Sequence, residues 1–323
     1  MAKPKAIVTR RWPKEVEEKL AELFDVELSR DDHPMSVAEL QSALRNADVV
    51  MPTVSDKITA EVLSAEPLRC KILGNFGVGF NHIDLQAAKA RGIAVTNTPA
   101  VLTDCTADIA MTLLLMAARR AGEGERHVRT KAWTGWRPTH MMGTKVTGKT
   151  LGLLGLGRIG KAVAKRAHHG FDMPVLFHDP YPPGAEELKA LGATQCASIE
   201  EVLEKADFVS LHCPATPETR HLINAERLKR MKPTTILINT ARGDVVDEKA
   251  LIQALRNGTI AAAGLDVYEW EPKVSEELLA LDNVVLFPHL GSASRETRVA
   301  MGMRVIDNVT AFLAGKTPGD RVA

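Results

Sequence analysis

Apolar positions along this chain gather into short compact runs, and between the runs they recur with helical spacing. Lys5–Arg10, Asp48–Thr53, Cys70–Gly77 and Ile93–Pro99 are runs of the first kind and predict short buried strands. Pro13–Phe24, Val37–Asn46 and Leu85–Arg91 carry the helical period between them. The alternation resumes in the second half, with strands expected at Val175–Asp179, Phe208–Pro214, Thr235–Thr240, Gly264–Tyr268 and Val284–Pro288. Such alternation needs crossovers that keep neighbouring strands parallel, so the expected class is α/β with doubly wound parallel sheets. After Pro288 the pattern holds one more helix, Ser294–Leu313, and no new sheet. Charge runs such as Glu15–Lys19 read as the solvated faces of these helices.

At 323 residues the chain is long for one core, which favours two domains. A formal charge of +1 gives no electrostatic case for nucleic acid or an anionic membrane as partner. Cys70, Cys105, Cys196 and Cys213 are far apart, so free thiols are expected rather than disulfides or a metal site. No signal-peptide core precedes the strand-like Lys5–Arg10, and the apolar run Ile109–Ala118 is too short to span a bilayer; a cytoplasmic protein is the expectation. Thr103–Arg120 is apolar on nearly every face, so that helix should be buried, either between domains or at a subunit interface. With Trp133 and Trp136 in the loop beyond, a homodimer is expected.

The densest chemistry lies in Leu151-Gly-Leu-Leu-Gly155-Leu-Gly157-Arg-Ile-Gly160, a buried strand running through a G-x-G-x-x-G turn into a helix at Lys161–Arg166. Glycines there let backbone approach a phosphate chain, and the helix's first N–H groups meet its charge. About 20 residues further on, a second apolar run ends in Asp179, where a carboxylate accepts hydrogen bonds from an adenosine ribose. The spacing points to a dinucleotide. Because the motif arrives only at residue 155, a complete α/β unit precedes it. We expect a dinucleotide domain over 101–288 inserted into a domain made of 1–100 and 289–323, with ligand beyond the carboxyl ends of the strands, in the cleft between them.

Three later strands run into ionisable residues. Arg242 follows the first, Glu271 lies a few residues past the second, and His289 follows the third. Arginine's fork matches a carboxylate bidentately. A histidine held by a carboxylate can shuttle protons near neutrality. Taken singly, Arg242 could cap a turn, Glu271 could be a surface acid and His289 a hydrogen-bonded core residue. Together, in a dinucleotide-binding chain, they favour catalysis.

Gly155-Leu-Gly-Arg-Ile-Gly160, Asn239-Thr-Ala-Arg242-Gly-Asp, Asp266-Val-Tyr-Glu-Trp-Glu271-Pro and Pro288-His289-Leu-Gly291-Ser resemble the signatures of the D-isomer-specific 2-hydroxyacid dehydrogenases. The resemblance covers essentially the whole chain. Asn75-Phe-Gly77-Val-Gly79-Phe-Asn-His-Ile-Asp84 and Arg129-Thr-Lys-Ala-Trp-Thr-Gly-Trp136 look most like the glycerate dehydrogenases and glyoxylate/hydroxypyruvate reductases. The resemblance implies a Rossmann domain inserted in a flavodoxin-like substrate domain, NAD as cofactor with NADH preferred over NADPH, and a small 2-oxoacid as substrate. It further implies His289 as general acid/base paired with Glu271, and Arg242 on the substrate carboxylate opposite the backbone N–H groups of Val78 and Gly79. Thr106, Gly155, Gly157, Arg158, Ile159, Gly160, Asp179, Cys213, Pro214, Thr240, Ala241, Asp266, His289 and Gly291 match positions around the cofactor. Val78 stands where phosphite dehydrogenases carry lysine, and Glu271 where formate dehydrogenases carry glutamine. Another 2-hydroxyacid dehydrogenase activity is the nearest alternative. A dinucleotide-sensing corepressor of the same fold, which keeps the triad, is a further one that a hydroxypyruvate turnover assay would separate.

Overall fold

A computed structural model describes residues 2–323. The chain forms two compact units, one from residues 1–102 with 293–323 and the other from 103–292. These divisions put His289 and Gly291 in the second unit, a few residues from the boundary expected at 288/289.

The first unit is a sheet of five parallel strands, β1 (Lys5–Val8), β2 (Asp25–Glu27), β3 (Val49–Met51), β4 (Ile72–Gly74) and β5 (Ala94–Thr96), in the order β2-β1-β3-β4-β5. Side chains alternate across it. Ile7, Val50, Leu73 and Val95 pack with Leu40, Leu44 and Val62 on one face, whereas Val8, Met51, Ile72 and Ala94 meet Val16, Leu20, Val305 and Val309 on the other. Gly74 lets the helix Arg295–Leu313 lie close on β4, since a Cβ there would come 2.7 Å from Val305. The helix Val37–Asn46 starts where expected because Ser36 and Glu39 close a reciprocal capping box.

Two expectations for this unit need correction. Strands are shorter than their apolar runs, because the last residues of each run leave the ladder to form the carboxyl-end loops. The charge run Glu15–Lys19 is not wholly solvated: Glu17 is buried, paired through both oxygens with Arg11 at 2.8 Å and accepting the Trp12 N–H. It sits between Val16 and Leu20 on the inward face, and the preceding loop supplies its partner. As expected, no new sheet follows the last helix; the segment beyond it only touches the existing one, where Arg321 forms a bridge to Thr96 and Val322 donates to the Val95 carbonyl.

Seven parallel strands make the second unit: β6 (Leu151–Leu154), β7 (Val175–His178), β8 (Ala193–Gln195), β9 (Phe208–Leu211), β10 (Ile236–Asn239), β11 (Ala262–Leu265) and β12 (Val284–Leu286), ordered β12-β11-β10-β9-β6-β7-β8. The order reverses between β6 and β9, which opens the crevice beyond the carboxyl ends of those strands. The helices Thr103–Ala118 and Arg158–Phe171 cover one face around Leu153, Phe177 and Ile238; Val202, Leu228, Leu251 and Leu255 cover the other. The strand expected at Gly264–Tyr268 ends at Leu265 instead, and Gly264 lies inside it because the helix Thr103–Ala118 approaches there, leaving 2.9 Å between a would-be Cβ and Leu113. That helix buries Ala107, Ala110, Met111, Leu113, Leu114 and Ala117, while Asp104 and Asp108 are exposed and pair with Arg166. Edge strands β2 and β8, three residues each and polar, carry no apolar run to announce them. Among the described residues no helix is long and apolar enough to cross a membrane.

Candidate active site

The glycine turn leaves β6 with its three glycines doing different jobs. Gly155 adopts φ +94°, and a Cβ there would come within 2.9 Å of the His212–Cys213 backbone that leaves β9. At Gly160 a Cβ would collide with the Gly155 carbonyl, so this glycine lets the helix close on the turn. Gly157, by contrast, has open space where a side chain would stand. It is also the N-cap of the helix Arg158–Phe171, gives it no side-chain cap, and is followed by no acid in the first turn. The helix therefore begins at Arg158, not Lys161, and its first N–H groups are left to an external acceptor. Asp179, at the end of β7, accepts the Leu156 N–H at 2.6 Å and the Tyr181 N–H at 2.7 Å, which holds its carboxylate beside the turn. Thr240 is buried at the end of β10, and its hydroxyl has no partner among the described residues. An open cradle, an uncapped helix start and an orphaned hydroxyl fit a dinucleotide running along this edge.

The ionisable residues gather at the same carboxyl edge. Beyond β10, buried Asn239 donates to the Arg242 carbonyl at 2.9 Å and accepts the Ala241 N–H at 3.0 Å, fixing the turn that presents Arg242. Burial pulls the Arg242 pKa down from its ordinary value, and the charges of Glu271 and Asp244 act against that pull. Beyond β11, Asp266 holds the loop that follows β12. Its carbonyl accepts the His289 N–H at 3.0 Å, and its two carboxylate oxygens accept those of Leu290 at 2.6 Å and Gly291 at 2.7 Å. Three successive N–H groups closing on one residue over-determine a loop in which His289 sits at φ +56°. Burial pushes the Asp266 pKa up, countered by the Leu290 N–H, the His289 charge and the Gly291 N–H. Thr106 is buried beside Gly291, where a Cβ would lie 3.4 Å from its methyl.

Glu271 and His289 meet directly. His289 Nδ1 lies 2.9 Å from Glu271 Oε2, and the other carboxylate oxygen accepts the Tyr268 N–H at 3.0 Å. An ionised carboxylate only accepts, so Nδ1 is the donor and Nε2 is free to exchange a proton. Burial alone would raise the Glu271 pKa, but the hydrogen bond and charge of His289, the Tyr268 N–H and the Arg242 charge hold it below the ordinary value. Among the described residues no cluster of three metal-ligating side chains occurs.

Val78 and Gly79 lie in the first unit, on the turn after β4. The remaining expected residues sit at strand ends of the second unit: Cys213 and Pro214 after β9, Ala241 after β10, Ile159 in the first turn of the helix. Sequence reasoning passed over Asn239, Tyr268 and Glu269. Tyr268 donates its hydroxyl to the Phe287 carbonyl at 2.8 Å, tying the loop after β11 to that after β12. Glu269 pairs with His221 at 2.9 Å. An asparagine closing a strand was a readable turn signal; the others show no local pattern.

Comparison with known proteins agrees with this geometry. Residues 111–291 match the family model described as D-isomer specific 2-hydroxyacid dehydrogenase, NAD binding domain. The chain is 47% identical to a glyoxylate reductase of Korarchaeum cryptofilum over 99% of its own length and 96% of the relative's. A solved protein from Thermus thermophilus superposes with a TM-score of 0.91 at 44% identity, covering 99% of this chain and 100% of that one. An NADPH-dependent glyoxylate/hydroxypyruvate reductase of Sinorhizobium meliloti, solved with NADP and malonate, gives 0.87 at 37% identity and covers 100% and 97% of the two chains.

Proposed function

This chain belongs to the D-isomer specific 2-hydroxyacid dehydrogenase family, and from that premise we propose that it is a glyoxylate/hydroxypyruvate reductase, forming glycolate or D-glycerate and running as a glycerate dehydrogenase in reverse. The observation that carries the reading is the His289–Glu271 pair at 2.9 Å, under the charge of Arg242 and on the same sheet edge as the glycine turn. A bound nicotinamide dinucleotide supplies the hydride in one direction and takes it in the other. His289 Nε2 gives its proton to the alkoxide oxygen that develops at C2, and in oxidation takes it from the hydroxyl. Glu271 keeps the imidazole oriented through Nδ1 and balances its charge. Arg242 binds the substrate carboxylate and polarises the neighbouring carbonyl. The N–H groups of Val78 and Gly79 serve the same carboxylate, and Asp266, besides holding the His289 loop, contacts the nicotinamide side.

Asp179 supports a preference for NADH. A 2′-phosphate would meet its charge, and Pro-Tyr-Pro-Pro follows it with no arginine or lysine close behind. A homodimer is supported by exposed apolar residues, with Trp133 53% and Trp136 81% exposed. Initial rates over a panel of 2-oxoacids with both reduced cofactors test the reading. Glyoxylate and hydroxypyruvate should lead with NADH, and Asp179→Ala should narrow the gap to NADPH. No turnover of any 2-oxoacid would sink the assignment, and a sedimenting species of 35.1 kDa alone at micromolar concentration would sink the dimer.

A further inference from the structure

Asn75, the residue after β4, is fully buried, and Asn97, the residue after β5, nearly so. Both side chains reach into the turn Gly77-Val78-Gly79. Asn75 Nδ2 donates to the Gly77 carbonyl at 3.1 Å and to the Gly79 carbonyl at 3.0 Å; Asn97 Nδ2 donates to the Val78 carbonyl at 2.8 Å. The Thr98 N–H adds a bond to the Gly77 carbonyl at 3.0 Å. In a trans peptide the C=O of one residue and the N–H of the next point in opposite directions. Anchoring the Gly77 carbonyl therefore aims the Val78 N–H away from Asn75, and anchoring the Val78 carbonyl aims the Gly79 N–H away from Asn97. Neither of these N–H groups donates to an acceptor among the described residues. Two adjacent donors are thus fixed from behind and left open in front.

The anchors are themselves held. His82 Nε2 lies 3.0 Å from Asn75 Oδ1. The Asn97 N–H bonds the Asp320 carbonyl at 3.2 Å, and Asn308 donates both to the Asn97 carbonyl at 3.3 Å and to Asp320 Oδ2 at 2.9 Å. Backbone donors that need no reorganisation bind an anion better than donors that must first be ordered.

We propose that Asn75 and Asn97 are positioning residues that pre-orient the Val78 and Gly79 N–H groups toward the carboxylate of the substrate. The inference rests on the 2-oxoacid reading above and adds the residues that make that half of the site stiff. Asn97→Ala and Asn97→Asp should each raise KM for glyoxylate about tenfold while kcat stays within about threefold, the effect expected of one lost buried donor. The pH profile, set by His289, should not move, and NADH affinity should stay at the wild-type value. Asn97→Asp keeps the volume but adds a negative charge, so Asn97→Ala, which removes the donor without adding charge, must show the same loss for the proposal to stand. Oxalate titrated into the NADH-bound protein reads the same site without turnover and should bind about tenfold more weakly to the variants. Unchanged KM and oxalate affinity in the variants would overturn the proposal and leave the enzyme assignment standing. A wild type that turns over no 2-oxoacid yet binds oxalate, and loses it on Asn97→Ala as on Asn97→Asp, would overturn the assignment and keep the proposal. A wild type that neither reacts nor binds oxalate would overturn both.

Discussion

Two histidine–glutamate pairs, each closing at 2.9 Å, depend on one short stretch of chain: Glu269 meets His221, and Glu271, two residues on, meets His289. Their surroundings differ. The Glu269 side chain is 9% exposed, and its N–H rests on Glu248, while the His221 N–H donates to the Asp244 carbonyl. The neighbouring Gly243 has no room for a Cβ, which would strike the Tyr268–Glu269 peptide. That pair stitches the loop before Ile223 and the Arg242 turn to the segment beyond β11. The imidazoles are alike, His221 33% and His289 32% exposed and each with one ring nitrogen unbonded among the described residues, but Glu271 at 35% is the more open carboxylate. Distance does not separate a brace from a proton carrier. What does is where the pair stands, the second lying under the charge of Arg242 on the edge that carries the glycine turn.

The sharpest way to break this comparison is to delete both histidines in turn. His289→Ala should cost about 10²–10⁴ in kcat with the fold and NADH affinity intact, whereas His221→Ala should stay within about tenfold. Equal losses would erase the distinction. Next in size, Arg242→Ala should lower kcat/KM about 10–100-fold by damaging both affinity and turnover, the scale of a charged hydrogen bond; a change in KM alone would leave it only a binding role.

pH sharpens the contrast further. On the role proposed for His289, reduction consumes the imidazolium proton and oxidation needs the free base, so reduction should fall and oxidation of the 2-hydroxyacid rise with pH. Glu271→Gln removes the carboxylate that His289 Nδ1 meets and should lower kcat in both directions. Glu271 has a folded pKa held below its unfolded value, so its stabilising effect is fully present above about 4.3 and lost as pH falls through the lower folded value. The melting temperatures of wild type and Glu271→Gln should therefore converge in strong acid. The smallest effect is expected at the brace, where Glu269→Gln should cost about 1–2 kcal/mol of stability, a few degrees in Tm, with rates and pH profile kept. A displaced pH profile there would make Glu269 part of the chemistry.

The parallel α/β architecture was legible because apolar runs and helical periods alternate, and the period alone bounded the helix Val37–Asn46, whose start the Ser36–Glu39 box fixes. Edge strands such as β2 were not, since a three-residue polar strand is defined by the neighbour it pairs with. Glu17 looked solvated because its partner, Arg11, lies outside the helix. At the site, Arg242, Glu271 and His289 stood out because they follow three successive strands. Asn97 and Glu269 did not, because each acts on backbone or a side chain brought near only by the fold, and Asn75 did not because nothing in the composition of its turn says which carbonyls face it.

Ser36, Thr59, Asp84, Ser198, Asn224, Asp247, Ser275 and Ser294 cap their helices with a side chain, and the uncapped helices after Pro13, Arg120 and Gly184 carry an acid in the first turn, whereas the helix Arg158–Phe171 has neither. Thermodynamic linkage turns that omission into a property of the whole protein. A ligand that completes the helix start binds only the folded state, so mass action makes the midpoint of unfolding depend on dinucleotide concentration. At one hundred times the dissociation constant the gain is about 2.7 kcal/mol. Pyrophosphate, which carries the anion without the rings, should deliver part of it. Resistance to heat in this chain then depends on its supply of cofactor as well as on its core.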